Sequence, residues 1–253
     1  MNTSFLRAAT ALVIVGAQVA TPAFAAGQCT ASSGATVPVV VELYTSEGCD
    51  SCPPADRWLS KLIAERNKDA DFIALAYHVD YWDYIGWKDA FAQPAFTQRQ
   101  SALAVAGGAS SVYTPQIFVN GKDDRSWTGG AAGMGAGGRA QATVRFNGDS
   151  QWRDDGVNIS GRLAVHSAHV RLRYAVTENG LISAVKAGEN RGATLRHDAV
   201  VRAHGIVPVD GSGAFSLNVR LPKALRRNSS QLHLIAEDAR GNTLAAATLA
   251  CAE

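Results

Sequence analysis

The chain has 253 residues, 47% of them hydrophobic and 18% charged, with a formal net charge of +2. That is the composition of a folded globule and not of a disordered chain. So nearly balanced a charge provides no basic footprint for a polyanion, and no nucleic-acid partner is expected.

Residues 1–25 carry one positive side chain, Arg7, then an apolar core from Ala8 to Val19, and end in Ala23-Phe24-Ala25. A small-x-small end after a short apolar run is the pattern of a cleaved secretory signal; the alternative is an uncleaved N-terminal anchor. No later run approaches the roughly 20 apolar residues that a spanning helix needs, so no membrane attachment is expected after cleavage. Removing the segment takes the charge from +2 to +1. The expected location is periplasmic or secreted, where disulfides form and persist. About 228 residues then remain, more than one small core needs, and two domains are expected.

After an N-terminal arm at 26–36, Val39–Tyr44 is a short β-branched run that reads as a buried strand. Pro53 and Pro54 precede Trp58, Leu59, Leu62 and Ile63, whose helical spacing predicts a helix from Asp56 to about Asn67. Asp71–Val79 is a second buried strand, completing a βαβ unit and implying parallel pairing. An aromatic-rich connection holds Tyr81, Trp82, Tyr84 and Trp87, and a helix is predicted over Ala95–Val105. Gln116–Val119, Asn120-Gly121 and a short following run read as a hairpin. From residue 148 to 253, seven short alternating runs separated by Gly, Asn, Asp and Pro predict an antiparallel β-sandwich or small barrel.

The chemistry centres on Cys49-Asp50-Ser51-Cys52, between the first strand and the first helix. At that junction Cys49 lies over the positive end of the helix dipole, which stabilises a thiolate. Cys52 is close enough to attack and resolve a mixed disulfide. A zinc site normally needs four ligands, and no second C-x-x-C exists. Asp50 and Glu47 oppose thiolate formation, which predicts a reducing or isomerising poise. Glu42 is either a buried acid that relays the proton of Cys52 or an exposed strand-end carboxylate. His78 and Asp80, at the carboxyl end of the second parallel strand, are placed to approach Cys49. There His78 assists proton transfer, completes a soft copper site with Cys49 and Cys52, or is simply satisfied by backbone. Tyr81, Trp82 and Trp87, beside Asp80, line a substrate groove or cap a core. His166, His169, His197 and His204 read as solvent or turn residues.

Four cysteines allow three pairings, and the sequence alone does not choose among them. With Cys49 and Cys52 as the active couple, Cys29 and Cys251 are expected to form a structural disulfide. In the chain-entropy treatment, closing so long a loop stabilises by about 5 kcal/mol.

The segment "ELYTSEGCDSC" resembles the corresponding stretch of glutaredoxins, and "TPQIFVNGK" resembles the proline-strand-turn of thioredoxins. Taken with "HVDYWDYIGWKD", "FTQRQ" and "NRGATLRHDAVVR", the chain resembles a secreted bacterial family known only as domain of unknown function 1223 and described as thioredoxin-like. The resemblance implies an α/β thioredoxin-like fold at 37–147, followed by an all-β, sandwich-like domain at 148–253. It also implies that Thr114 and Pro115 face the cysteines and present backbone to an extended substrate. The function this suggests is thiol–disulfide exchange on protein or small-molecule thiols, without a cofactor and with a separate redox partner that restores the pair. The rivals are a copper carrier using Cys49, Cys52 and His78, and a binding module in which 49–52 is an inert disulfide.

Overall fold

The structure, a computed structural model, describes residues 28–66, 72–129, 137–149, 152–153, 156–165 and 169–251. The secretory signal read at 1–25 and His166 lie outside the described residues. The N-terminal half contributes β1 (Gln28–Ser32), β2 (Val39–Thr45), α1 (Pro53–Arg66), β3 (Phe72–His78), α2 (Pro94–Ala106), β4 (Gln116–Val119) and β5 (Lys122–Asp123). Next come β6 (Ala142–Asp149), β7 (Val157–Val165), β8 (Arg171–Glu178), β9 (Leu181–Ala184) and β10 (Thr194–His197). The chain closes with β11 (Val200–Ile206), β12 (Ala214–Val219), β13 (Ser230–Glu237), β14 (Thr243–Thr248) and β15 (Ala250–Cys251).

The predicted local elements form close to where the patterns place them, but the fold class differs from the expectation. Instead of an α/β thioredoxin-like domain followed by a β-sandwich, the chain builds a mostly β structure around one mixed sheet of eight strands. Its order is β14-β13-β8-β11-β3-β2-β4-β5, so both halves of the chain share it. The seam lies at β3, which pairs in parallel with β2 on one side and meets β11 at Ala76↔Val200 on the other. There the Ala76 amide donates to the Ala199 carbonyl at 2.8 Å. An independent βαβ unit would leave that edge of β3 unpaired, and unpaired edge amides and carbonyls seek a partner strand. β11 supplies it from more than 120 residues away.

Strand alternation then assigns the two faces. Val39, Val41 and Leu43 of β2 pack with Ala55, Leu59 and Leu62 of α1. Val40 and Tyr44 point the other way, against Phe96, Leu103 and Ala104 of α2. A five-stranded sheet, β12-β7-β6-β1-β15, packs on the β8-β13-β14 end through Phe146, Ile159, Leu172, Leu232 and Leu234. Each such side chain, fully buried, contributes about 1.5–3 kcal/mol. The Asn120-Gly121 turn has φ of 50° and 83°, the doubly positive pair that a tight hairpin turn requires. Among the described residues, no helix is long and apolar enough to cross a membrane.

Candidate functional site: a disulfide loop over a buried carboxylate–histidine cluster

Helix α1 begins at Pro53, immediately after Cys52 and earlier than the apolar spacing predicts. Two prolines suit a first turn, where their missing N–H groups have no helical partner to lose. The Cys52 carbonyl accepts from the amides of Ala55 and Asp56 at 2.9 and 3.1 Å. Cys49 and Cys52 are joined by a disulfide with Cα atoms 5.5 Å apart, and neither is exposed at all (0%).

Two segments cover the loop. Gly48 meets the connection after β3: a Cβ there would lie 3.1 Å from Ile85 Cδ1 and 3.2 Å from Trp82 Cβ. From the opposite side comes the turn between β9 and β10. Asn190 Nδ2 donates to the carbonyls of Glu47 and Cys49 at 2.9 and 2.8 Å, and the Asp50 amide donates to Glu189 Oε2 at 3.0 Å. Asn190 and its neighbours therefore hold the disulfide loop in place, a role that no periodicity in the sequence announces.

Beneath the loop lies a group of buried ionisable side chains. Glu47 accepts from Trp87 Nε1 at 2.8 Å, and its own amide donates to Asp89 Oδ2 at 2.9 Å. His78 Nδ1 pairs with the same Asp89 oxygen at 2.7 Å. His197 sits between two acids, its Nε2 3.3 Å from Glu47 Oε1 and its Nδ1 3.8 Å from Asp56 Oδ2. The two imidazole centroids are 4.9 Å apart. Within this cluster Glu47 Oε1, His78 Nε2 and both His197 ring nitrogens are buried without a hydrogen-bond partner.

Burial alone would lower the pKa of His78, but the carboxylates led by Asp89 outweigh it and hold it above the ordinary histidine value. Asp89 is correspondingly lowered: burial pushes it up, and His78 more than compensates. Asp56 moves upward, because burial dominates over the attraction of His197 and His78.

The expected site residues divide around this arrangement. Glu42 is neither an exposed strand-end carboxylate nor part of the cluster. Alternation along β2 turns it to the face of the sheet opposite α1. There it accepts from Arg173 Nη2 at 2.6 Å and from Arg99 Nη2 and Nε at 2.7 and 2.8 Å. Burial pushes its pKa up, but Arg173 and Arg99 bring it down to about 2. Such a group stays ionised at neutral pH and does not serve there as a proton relay.

Asp80 is occupied by the Thr97 hydroxyl. Trp82 donates to Thr114 Oγ1 at 2.7 Å, linking the cis Thr114-Pro115 bond to a residue that touches Gly48. Trp87 belongs to the cluster through Glu47. His78 is held by a carboxylate rather than by backbone. No three His, Cys, Asp or Glu side chains converge as metal ligands among the described residues.

Two of the histidines read as solvent or turn residues are placed otherwise. His197 is 2% exposed, because the alternation of β10 turns Leu195 and His197 inward. His204 is half-buried, its ring against Tyr77 and Phe96. His169 does occupy an exposed turn, with φ 62°. Far from the cluster, β1 and β15 pair with Cys29 directly opposite Cys251, and Cys29 is disulfide-bonded.

Fold and site together define a mixed-sheet β protein with a C-x-x-C disulfide at a strand–helix junction, seated over buried acids and histidines. The chain belongs to the family described as "Protein of unknown function (DUF1223)", which matches residues 40–236. Among solved structures it is similar to a crystal structure of an Agrobacterium tumefaciens protein, with 28% identity and a TM-score of 0.57. That similarity covers 86% of this chain and 96% of the other. It is also similar to HBP35 of Porphyromonas gingivalis, with 15% identity, a TM-score of 0.57, and 85% and 75% of the two chains covered; at that identity the likeness concerns the fold alone. No curated protein matches the chain.

Proposed function

We propose that this protein carries out thiol–disulfide exchange through Cys49 and Cys52 in an oxidising compartment outside the cytoplasm. The observation that carries this reading is the Cys49–Cys52 disulfide in the loop that runs directly into the N-terminus of α1, where helix amides and dipole favour a thiolate. In the reducing direction, the Cys49 thiolate attacks a substrate disulfide and one substrate thiol leaves. Cys52 then attacks the Cys49 sulfur, the second substrate thiol leaves, and the protein is oxidised by two electrons as the substrate is reduced. The acids around the pair, Asp50 in the loop and Glu47 beneath it, oppose a thiolate and favour a reducing or isomerising poise. Trp82 and Thr114, bonded to each other beside Gly48, are the expected flank for a substrate chain, with Pro115 next to them.

The test is a redox titration of the full chain with mass-spectrometric mapping of all four cysteines, alongside an insulin-reduction assay. The reading predicts reversible cycling of Cys49–Cys52 at a potential accessible to cellular thiols, and loss of insulin reduction in Cys49→Ser.

A second reading, an inert structural disulfide in a non-catalytic module, is favoured by one specific observation: both cysteines are fully buried. It predicts a potential below about −300 mV and no effect of Cys49→Ser on any exchange.

A further inference from the structure

The face of the eight-stranded sheet that packs against α2 carries a second group of charges. On β8, Arg171 and Arg173 are two residues apart and so point to one face. Register sets Glu237 of β13 opposite Arg171, and Ile206 of β11 opposite Arg173. Helix α2 adds Arg99, Ala102 and Leu103, and the turn between β13 and β14 adds Ala239 and Arg240. Together they line a cavity of about 390 Å³, within the size range of small-molecule sites. The turn is fixed for local reasons. Asp238 accepts from the amides of Arg240 and Asn242 at 2.8 and 2.9 Å. Gly241, with φ 84°, lies so near α2 that a Cβ there would stand 2.3 Å from Leu103 Cδ2. Arg240 is thereby held at the mouth.

The charges of this cavity do not balance. Arg99 and Arg173 form its floor, with side chains 11% and 3% exposed, while Arg171 and Arg240 are exposed at the mouth. Glu42 and Glu237 pair with the floor arginines. Arg171 stands 3.6 Å from the same, already engaged Glu237, and Asp238 neighbours Arg240. Four cations against three carboxylates leave one positive charge. Donors remain as well: Arg173 commits three N–H groups, to Glu237, Tyr77 and Glu42, of the five that a guanidinium carries. The walls are apolar, formed by Ala102, Leu103, Ala239 and Ile206. Ile206 is a large apolar side chain left 57% exposed. Such walls give nothing to a hydrated inorganic ion, but they favour a ligand whose own apolar surface leaves water.

We infer that this cavity binds a small organic acid, its one carboxylate on the arginines and its apolar body against Leu103 and Ile206. Guanidinium forks match a carboxylate with parallel hydrogen bonds, and a cleft with apolar walls focuses the field of the arginines that line it. The single unbalanced positive charge corresponds to a single carboxylate. The site uses none of the residues around the disulfide and is independent of the exchange reading.

The test is calorimetric titration of the full chain with three probes, hexanoate, phenylbutyrate and naphthylacetate. Phenylbutanol serves as the neutral control and inorganic phosphate as the ionic one. At least one acid should bind, and phenylbutanol should bind about tenfold or more weakly than phenylbutyrate. Replacing both mouth arginines, Arg171→Gln with Arg240→Gln, should weaken the acid by a similar factor, and Arg171→Lys with Arg240→Lys should restore part of the loss. Ala102→Phe, at an exposed position of α2 that lines the cavity, should abolish binding by filling it. None of these three side chains is buried, so thermal unfolding should confirm that each variant folds. In the wild type, NMR should show the ring of His204, which lines the cavity, shifting with added acid while that of His197 stays in place. The inference is overturned if no acid binds at millimolar concentration, or if the alcohol binds as tightly as the acid. It is also overturned if phosphate displaces the acid at equal ionic strength, or if the glutamine and phenylalanine variants bind like wild type. None of these results bears on thiol exchange, and failure of the exchange assays leaves this site standing.

Discussion

Replacing Arg173 with Met tests the network that joins the two halves of the chain. Arg173, on β8, has a side chain 3% exposed. It donates to Glu42 on β2 at 2.6 Å, to Glu237 on β13 at 2.9 Å and to the Tyr77 hydroxyl on β3 at 3.0 Å. Arg173→Met leaves two buried carboxylates with Arg99 between them and the half-exposed Arg171 3.6 Å from Glu237. Breaking a buried pair by removing one partner costs roughly 3–5 kcal/mol, because the remaining charge is uncompensated.

The pH dependence gives an independent scale. Glu42 is lowered from 4.5 to about 2, which corresponds to roughly 3 kcal/mol of linkage. A depressed carboxylate contributes stability that is present above its unfolded pKa and lost as pH falls through the folded one. The wild-type acid limb should therefore run from about pH 4.5 down to about 2. In the variant, Glu42 protonates at higher pH and relieves its own penalty, so the stability gap should narrow as pH falls through this window. Urea denaturation with the disulfides kept oxidised, at neutral pH and at several acidic values, measures both effects. A neutral-pH loss under about 1 kcal/mol, or a gap that stays constant through the window, would refute the reasoning.

Asn190→Ala removes the hydrogen bonds to the carbonyls of Glu47 and Cys49. At about 0.5–1.5 kcal/mol each, their loss should speed reduction of the Cys49–Cys52 disulfide by a soluble dithiol about tenfold, read by quenched-flow alkylation; an unchanged rate argues against this cover. Gly48→Ala places a methyl group 3.1 Å from Ile85 Cδ1 and should cost about 1–3 kcal/mol by overpacking, measured by thermal unfolding. His204 and His233 are held at about 4 and about 3, by burial first and then by Arg173, joined at His204 by Arg99. The unfolded chain therefore takes up their protons first, and stability should fall as pH drops from about 6.5 toward those values. NMR titration should find both rings still neutral near pH 5.5; a charged ring at either position there contradicts the assigned burial.

Local structure was largely legible in the amino-acid order. The β-branched run at Val39, the Leu59 and Leu62 spacing and the Asn120-Gly121 turn each correspond to an element, because each depends on neighbours a few residues away. The C-x-x-C stood out by its spacing. The buried cluster did not: Glu47 and Asp56 look like ordinary surface acids, and His197 resembles a turn residue. The one available signal was "NRGATLRH", whose unusual composition sits between strands without an evident task.

Glu42 shows the same boundary within a single strand. Its position in an apolar run left it either a buried acid or an exposed strand-end carboxylate, and the arginines that decide its ionisation come from α2 and β8. By itself, the sequence determined the strands around Val40 and Ile73, most of the later short strands, the two helices, the turn and the two cysteines beside a helix start, since short-range sterics and periodicity dictate these. Tertiary structure alone decided that β11 pairs with β3, that one sheet unites both halves, and that His197 lies between Glu47 and Asp56. Those outcomes depend on which unpaired edge and which buried charges meet across more than 100 residues of chain, and no local pattern encodes a partner so distant.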